Sequence, residues 1–562
     1  MPPESALSPV FQIASDLVDQ LAALDPIAAT SMGVSGHDAE MSDYSPSGQE
    51  AVTALFRSTL ERLQHAPVTN ARDRTAAEAM RDSLSLRIER FDAGEHLDAM
   101  YRSPVVGIRG SFDLMPRQSE EDWSNIAQRL ALVPRGVASA RETLDEGLRQ
   151  GRVAAQRQVV EFAKKLEAWS GQTPATASFF DTLISGANSA GASAGLQSDL
   201  ERAASAANSA FAELARYLRQ AYLPSAGSRD GVGPDRYQLN SRFYNGITLD
   251  LEETYSWGWD ELYRIEAEMA ATCERILPGE GMEATRAFLE SQPGRAVEGV
   301  EPFREWMQQL QDRTIDELSG VHFDIPAPVR RIEAMIAPPG GALAMYYTGP
   351  SEDFSRPGRT WYPTGGQTRF PLWGEVSIAY HEGVPGHHFQ IATTKYLADE
   401  LSRFQRLLGG TSGYVEGWAL YAEKLMGELG YLENPDYYLG MLRAQAMRSV
   451  RVIVDIGMHL GLNIPASERF HPGETWDAQL GDIFARERSQ FPLAFMQSEV
   501  TRYLGTPGQA ISYKVGERCW LEAREDSKRR HGAAFELKAW HAAALNLGPM
   551  GLAQMQRELA DV

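Results

Sequence analysis

Sulfur is scarce in this chain: its 562 residues include two cysteines, Cys273 and Cys519. Two thiols cannot build a disulfide framework or a four-thiolate zinc site, and they suit a reducing compartment. Long apolar runs are missing as well. No stretch approaches the ~18 consecutive apolar residues of a membrane-crossing helix. The opening residues, MPPESALSPVFQIASDLVDQL, lack the basic segment and apolar core of a secretory signal. The expected location is the cytoplasm, with no membrane partner. Positive charge is also in deficit: 54 Lys plus Arg stand against 75 Asp plus Glu, a net charge of −21. No basic stripe matches a phosphate backbone, so no nucleic-acid partner is expected. The chain has no phosphate-binding glycine motif, no internal repeat and no low-complexity tail.

What is present reads as a helical globular protein. Hydrophobic residues make up 43% and charged residues 23%, ordinary values for a folded chain. A prior of ~150 residues per domain gives about three or four units, which large helical enzymes often merge. Apolar spacing predicts helices over 9–92, 121–168 and 197–218. Residues 103–120 read as irregular, 186–196 as a small-residue loop, and 293–301 and 337–341 as further loops. The Gly, Pro and Ser run at 223–234 is the best boundary. It divides an N-terminal helical region, 1–230, from a region that would carry the chemistry, 231–562, expected to form one continuous globule. Asp250 and Glu253 have the spacing of a helix cap, opening a helix through about Ile276. Residues 342–348 and 359–364 read as strands of a small sheet. The expected fold is large and mainly α, with a small β-sheet.

The chemistry gathers in AYHEGVPGHHFQ, residues 379–390. Imidazole is a preferred zinc ligand, and a glutamate beside one can deprotonate bound water. In the common HExxH motif the two histidines lie one helical turn apart. Here His381 is six residues from His387 and seven from His388, too far to share an ion along a straight helix. Pro385 cannot donate to the carbonyl four residues back, and Gly386 permits unusual dihedrals. A two-residue bulge would bring His381 and His387 together, and a three-residue bulge would favour His388. The next segment, GYVEGWALYAE, supplies Glu416 and Glu423 on one helix face in apolar company. A buried, unpaired carboxylate there would be costly. Glu416 as a metal ligand, with Glu423 orienting a ligand from behind, removes that cost.

This constellation resembles the domain of unknown function 885 family, whose mark HExxxGHH stands here at His381–His388. The resemblance continues through Glu416–Glu423, 448–459 and 502–516 to the region of Phe535 and His541, roughly 235–555. That family looks similar to gluzincin metallopeptidases of the carboxypeptidase Taq type, where a second glutamate lies seven residues after the ligand glutamate. Glu416 and Glu423 match that spacing, and Tyr513-Lys-Val-Gly516 is similar to a Tyr-x-Leu-Gly near the C-terminus of that group. The resemblance implies one Zn2+ ion held by His381, His387 (or His388) and Glu416, with Glu382 as the base. Tyr513, or alternatively Tyr503, would donate to the oxyanion. A short peptide is the expected substrate, paired with the strand carrying Tyr346. Its terminal carboxylate would be held by Arg448, Arg451 or Arg502, with Gln509 touching its backbone. Glu423, Asp455 and His459 would support from behind, and Arg451, Asp455 and His459 also have the spacing of a structural ion-pair stripe. A homodimer is left open. The competing readings are a binding protein that keeps a metal or peptide site without turnover, and a hydrolase of a non-peptide amide or ester.

Overall fold

The computed structural model describes residues 7–174, 177–187, 191–337 and 344–562. Its contacts divide the chain into two units. The first contains Met1–Val68, Leu84–Asp230 and Leu504–Thr506, and the second Thr69–Ser83, Gly231–Tyr503 and Pro507–Val562. The main division thus falls inside the Gly/Pro/Ser run, with two short segments exchanged.

The first unit is helical. Its longest helix, Glu120–Gln150, begins with a reciprocal capping box between Ser119 and Asp122 and ends at Gly151, which takes the left-handed conformation (φ 71°). That glycine divides the long helical stretch, and a second helix follows at Gln156–Trp169. The core of this unit joins Trp123, Phe112, Phe180 and Phe211, with edge-to-face ring contacts at 5.9 Å and 5.0 Å. Residues 103–120 depart from expectation, since Pro104–Leu114 is a helix. Ser103 caps it by accepting from the Val105 N–H, Pro104 fits the first turn, and Val105, Ile108 and Phe112 share its buried face. The glycines at 107 and 110 masked that pattern. The loop expected at 186–196 falls partly outside the described residues, and a helix starts at Ala194.

Among its described residues the second unit carries two small sheets between helices. Asp250 caps the Leu251–Ile276 helix by accepting from the N–H groups of Glu252 and Glu253, as the spacing predicts. Strands β1 (Ala296–Glu298), β2 (Ile332–Ile336), β3 (Tyr346–Thr348), β4 (Gly358–Tyr362) and β5 (Arg369–Pro371) form a β1–β5 pair and a sheet in the order β2-β4-β3. Both expected strands are present as β3 and β4, although residues 342–343 lie outside the described set. The loop expected at 293–301 contains β1, too short to show an alternating pattern. Most of the loop expected at 337–341 also lies outside the described residues.

Five helices build the site: α1 (Val376–Glu382), α2 (His387–Tyr396), α3 (Ser412–Glu428), α4 (Pro435–Leu460) and α5 (Ser512–His531). Helix α4 is buried on nearly every side from Leu439 to His459, and Arg448, Arg451, Asp455 and His459 are buried among its apolar and small residues. Helices α3 and α5 cross backbone to backbone. A Cβ on Gly516 would lie 2.0 Å from the Gly413 carbonyl oxygen, and one on Gly417 would lie 2.4 Å from the Gly516 carbonyl carbon. Only glycines permit that approach. Among the described residues no helix is long and apolar enough to cross a membrane.

Candidate metal centre and cleft

Helix α1 ends on His381 and Glu382 because Gly383-Val-Pro-Gly386 cannot continue it. Gly386 lies against the turn it leaves: a Cβ there would come 2.0 Å from the His381 carbonyl oxygen. The chain turns tightly and restarts as α2 on His387. Trp418 on α3 donates from its indole nitrogen to the Pro385 carbonyl (2.8 Å), tying the turn down. The two imidazoles meet through this break between helices, and not through a bulge in one continuing helix. Their ring centroids are 4.7 Å apart with planes at 81°.

Helix α3 brings Glu416 to the pair. Its Oε2 lies 3.5 Å from His381 Nε2 and 3.3 Å from His387 Nε2, yet it is buried without a satisfactory hydrogen bond. One ligand atom each from His381, Glu382 and His387 lies within 4.8 Å of the other two. Two turns further along α3, Glu423 is fully buried. One oxygen meets His381 Nδ1 at 2.8 Å and the other accepts from the Ser377 hydroxyl. This contact takes up the Nδ1 side of His381 and turns Nε2 towards Glu416.

Burial and charge pull these groups in different directions. Burial alone would raise the Glu416 carboxyl, but the neighbouring imidazoles outweigh it and hold it well below the usual range. Burial likewise opposes the His381 imidazolium, and Glu416 and Glu423 overcome it, raising His381. For Glu382 the balance goes the other way: desolvation, added to by Glu416 and Glu423 and only partly offset by His387 and Arg448, pushes it up to about 8. His388 is turned away from the cluster. Its Nδ1 meets the Tyr347 hydroxyl at 2.9 Å and its Nε2 the Val329 carbonyl at 2.6 Å. Burial pushes it down to about 4. Both nitrogens are committed, so His388 is not an alternative to His387 in this arrangement.

The cluster opens into a cleft of about 740 Å³. The family described as "Bacterial protein of unknown function (DUF885)" matches residues 26–559. The chain belongs to this family. Its match includes most of the N-terminal helices, which carry none of the motifs quoted for the resemblance. The solved structure of "the putative lipoprotein from Colwellia psychrerythraea" has the same fold, with a TM-score of 0.84, 23% identity and coverage of 99% of both chains. A structure described as "a putative lipoprotein of unknown function from Shewanella oneidensis" aligns at a TM-score of 0.71 and 17% identity, covering 98% of this chain and 99% of that one. No curated protein matches the chain.

In this DUF885 protein Tyr513 stands at the start of α5 and lines the cleft. Its ring is nearly parallel to that of His381 with centroids 6.3 Å apart, and the Arg451 guanidinium lies 4.4 Å from its centroid. Tyr503 is elsewhere. It is fully buried, accepts from Arg451 Nε (3.0 Å) and donates to Glu499 (3.1 Å). Arg448 and Arg451 line the cleft, as does Tyr346 on β3. Arg448 keeps Nε and Nη1 unbonded, and Arg451 keeps Nη1.

The remaining expected residues are not brought to the cleft. Arg502 pairs with Glu499 at 2.9 Å and also reaches Gln509, which donates to Ser412 Oγ at 3.0 Å. Asp455 accepts from the Tyr237 hydroxyl (2.8 Å) and the Gly508 N–H (3.0 Å). His459 bonds the Tyr503 carbonyl at 3.1 Å. These four satisfy buried backbone and side-chain groups behind the site, where helix periodicity alone could not assign a facing. Sequence reasoning missed Glu375 and Arg443, which also line the cleft. A signal for Glu375 existed: it precedes Glu382 by seven residues, two turns on one helix face.

Proposed function

We propose that this DUF885 protein is a zinc-dependent peptidase, carboxypeptidase-like, acting on short peptides. The observation that carries the reading is the convergence of two Nε2 atoms on a Glu416 oxygen that is buried and otherwise unbonded. Nitrogen and carboxylate donors without thiolate are a common zinc ligand set, and that oxygen supplies a reason for a cation. His381, His387 and Glu416 would hold the ion, with Glu423 orienting His381, a gluzincin-like division of labour. When bound, zinc acidifies its water and polarises a carbonyl.

The chain's own residues do the rest. Glu382 takes a proton from water on its carboxylate and hands it to the leaving amine. Tyr513 donates its hydroxyl hydrogen to the oxygen of the attacked carbonyl. Among the described residues strand β3 is an edge of its sheet, a position from which an extended peptide can be held by backbone hydrogen bonds. The unbonded N–H groups of Arg448 and Arg451 suit a terminal carboxylate.

The test is elemental analysis with a dipeptide and tripeptide screen. We expect about one zinc per chain and metal-dependent release of an amino acid. Glu382→Gln should keep the metal and lower turnover by ~10²–10⁴. Metal retention with no cleavage of any peptide would make the chain a binding protein, and cleavage of esters alone would make it another hydrolase. Cytoplasmic residence belongs to the same proposal and rests on two free, buried cysteines. The description of the structural relatives as lipoproteins favours a membrane-anchored alternative, which cell fractionation would separate.

A further inference from the structure

Three arginines of helix α4 mark successive positions along one wall of the cleft. Arg443 is the cation whose field reaches Glu375. Further along, Arg448 lies 3.5 Å from Glu423 behind His381. Further still, Arg451 covers the ring of Tyr513. The Glu375 end is therefore separated from the Tyr513 end by the histidine cluster.

Glu375 shares a property with Glu416. One of its oxygens is buried and without a hydrogen-bond partner, and no ion pair joins it to Arg443. The Arg443 guanidinium is held off by aromatic rings, 4.0 Å from the centroid of Trp373 and 4.3 Å from that of Phe491. Its Nε is buried and also lacks a partner. A carboxylate and a guanidinium side by side in a cleft, each with an unmet valence, are complementary to an ammonium and a neighbouring carbonyl.

We propose that Glu375, flanked by Arg443, is the subsite that takes a primary ammonium group of the ligand, with Arg443 Nε donating to the nearby carbonyl oxygen. This rests on the peptidase reading and adds a length to it. Glu375 carries helical dihedrals (φ −94°, ψ −33°) at the head of α1, so Glu382 lies on the same face ~10.5 Å along the axis. An extended peptide spans that distance with about three residues. An amino terminus on Glu375 therefore places the third peptide bond beside Glu382, and a tetrapeptide would lose its last residue. A lysine side chain presents the same ammonium chemistry, and the test separates the two.

The probes are tetra-alanine, its N-acetyl derivative and N-acetyl-Lys-Ala-Ala-Ala, titrated calorimetrically into zinc-loaded Glu382→Gln protein. Free tetra-alanine should bind about tenfold more tightly than the acetylated form. Adding Glu375→Gln should remove that difference by weakening only the free peptide, with the melting temperature unchanged. Recovery of affinity by the lysine peptide, dependent on Glu375, would support the subsite and assign it to a side chain. Equal binding of free and acetylated tetra-alanine, no binding of any probe, or an equal loss for all three in a folded Glu375→Gln protein overturns the proposal. The first comparison needs no change at Glu375. Ammonium-dependent binding with no hydrolysis of tetra-alanine by the unmodified protein would sink the peptidase reading and leave the subsite standing.

Discussion

His387 and His388 are neighbours with identical side chains in opposite surroundings. The region in front of His387 holds carboxylates, an imidazole and a cleft, and leaves its Nδ1 unbonded. The region behind His388 holds a tyrosine hydroxyl and a backbone carbonyl that use both ring nitrogens. The first is a set of donors and acceptors awaiting something, and the second is closed. The difference teaches that burial alone does not distinguish a candidate ligand histidine from a structural one, since His387 is 8% exposed and His388 0%. What distinguishes them is whether their valences are met inside the protein.

Removing each ring in turn is the strongest way to break this contrast. His387→Ala should abolish zinc retention and with it all turnover, read by elemental analysis and peptide assay. His388→Ala should keep the metal and cost ~1–3 kcal/mol of stability from the groups it leaves unbonded, read by chemical unfolding. Metal loss in both variants would erase the distinction.

The same contrast applies to the two tyrosines. Tyr513→Phe should lower kcat by ~10²–10³ with KM little changed, whereas Tyr503→Phe should leave kcat within about threefold and reduce stability by about 1 kcal/mol. Steady-state kinetics on the two proteins decides. A smaller effect is expected one layer back. Glu423→Gln keeps the contact to His381 but not the charge, and should weaken zinc binding by ~10–100-fold, measured by competition with a chelator.

The last prediction concerns a buried histidine outside the cluster. His541 is buried beside the Tyr421 hydroxyl (2.6 Å), and burial, helped by Arg524, pushes it down to about 3. Above its unfolded value of ~6.5 both states are neutral. Between ~6.5 and about 3 only the unfolded chain takes up the proton, so this site loses stability as pH falls. The stability gap between the native protein and His541→Gln should therefore narrow on acidification, by at most about 1.4 kcal/mol per pH unit. A gap that is flat from pH 6.5 to pH 4 would contradict the assignment.

Much of this architecture is legible in the residues. The Asp250 cap and the strands expected at 342–348 and 359–364, which stand at Tyr346–Thr348 and Gly358–Tyr362, follow from local signals. The approach of His381, His387 and Glu416 follows from a proline-glycine break and an acidic residue in an apolar helix. Local rules failed where facing is decided at long range. Arg448 and Arg451 reach the cleft as expected and Asp455 and His459 lie behind it, but α4 is buried on nearly all sides, so its periodicity alone marks no cleft face. Arg502 and Gln509 look available in sequence and are absorbed by Glu499 and Ser412. Glu375 was overlooked because a lone glutamate before a short helix reads as a surface residue until its neighbours are known.

The glycine contact between α3 and α5 has a mechanical consequence. Gly413, Gly417 and Gly516 bring two backbones together with no side chain between them, so the helices cannot slide without atoms colliding. Glu416 stands one residue before Gly417, and Tyr513 three before Gly516. The carboxylate and the phenol are thus mounted on a single close-packed part of the cleft wall, which fixes their spacing.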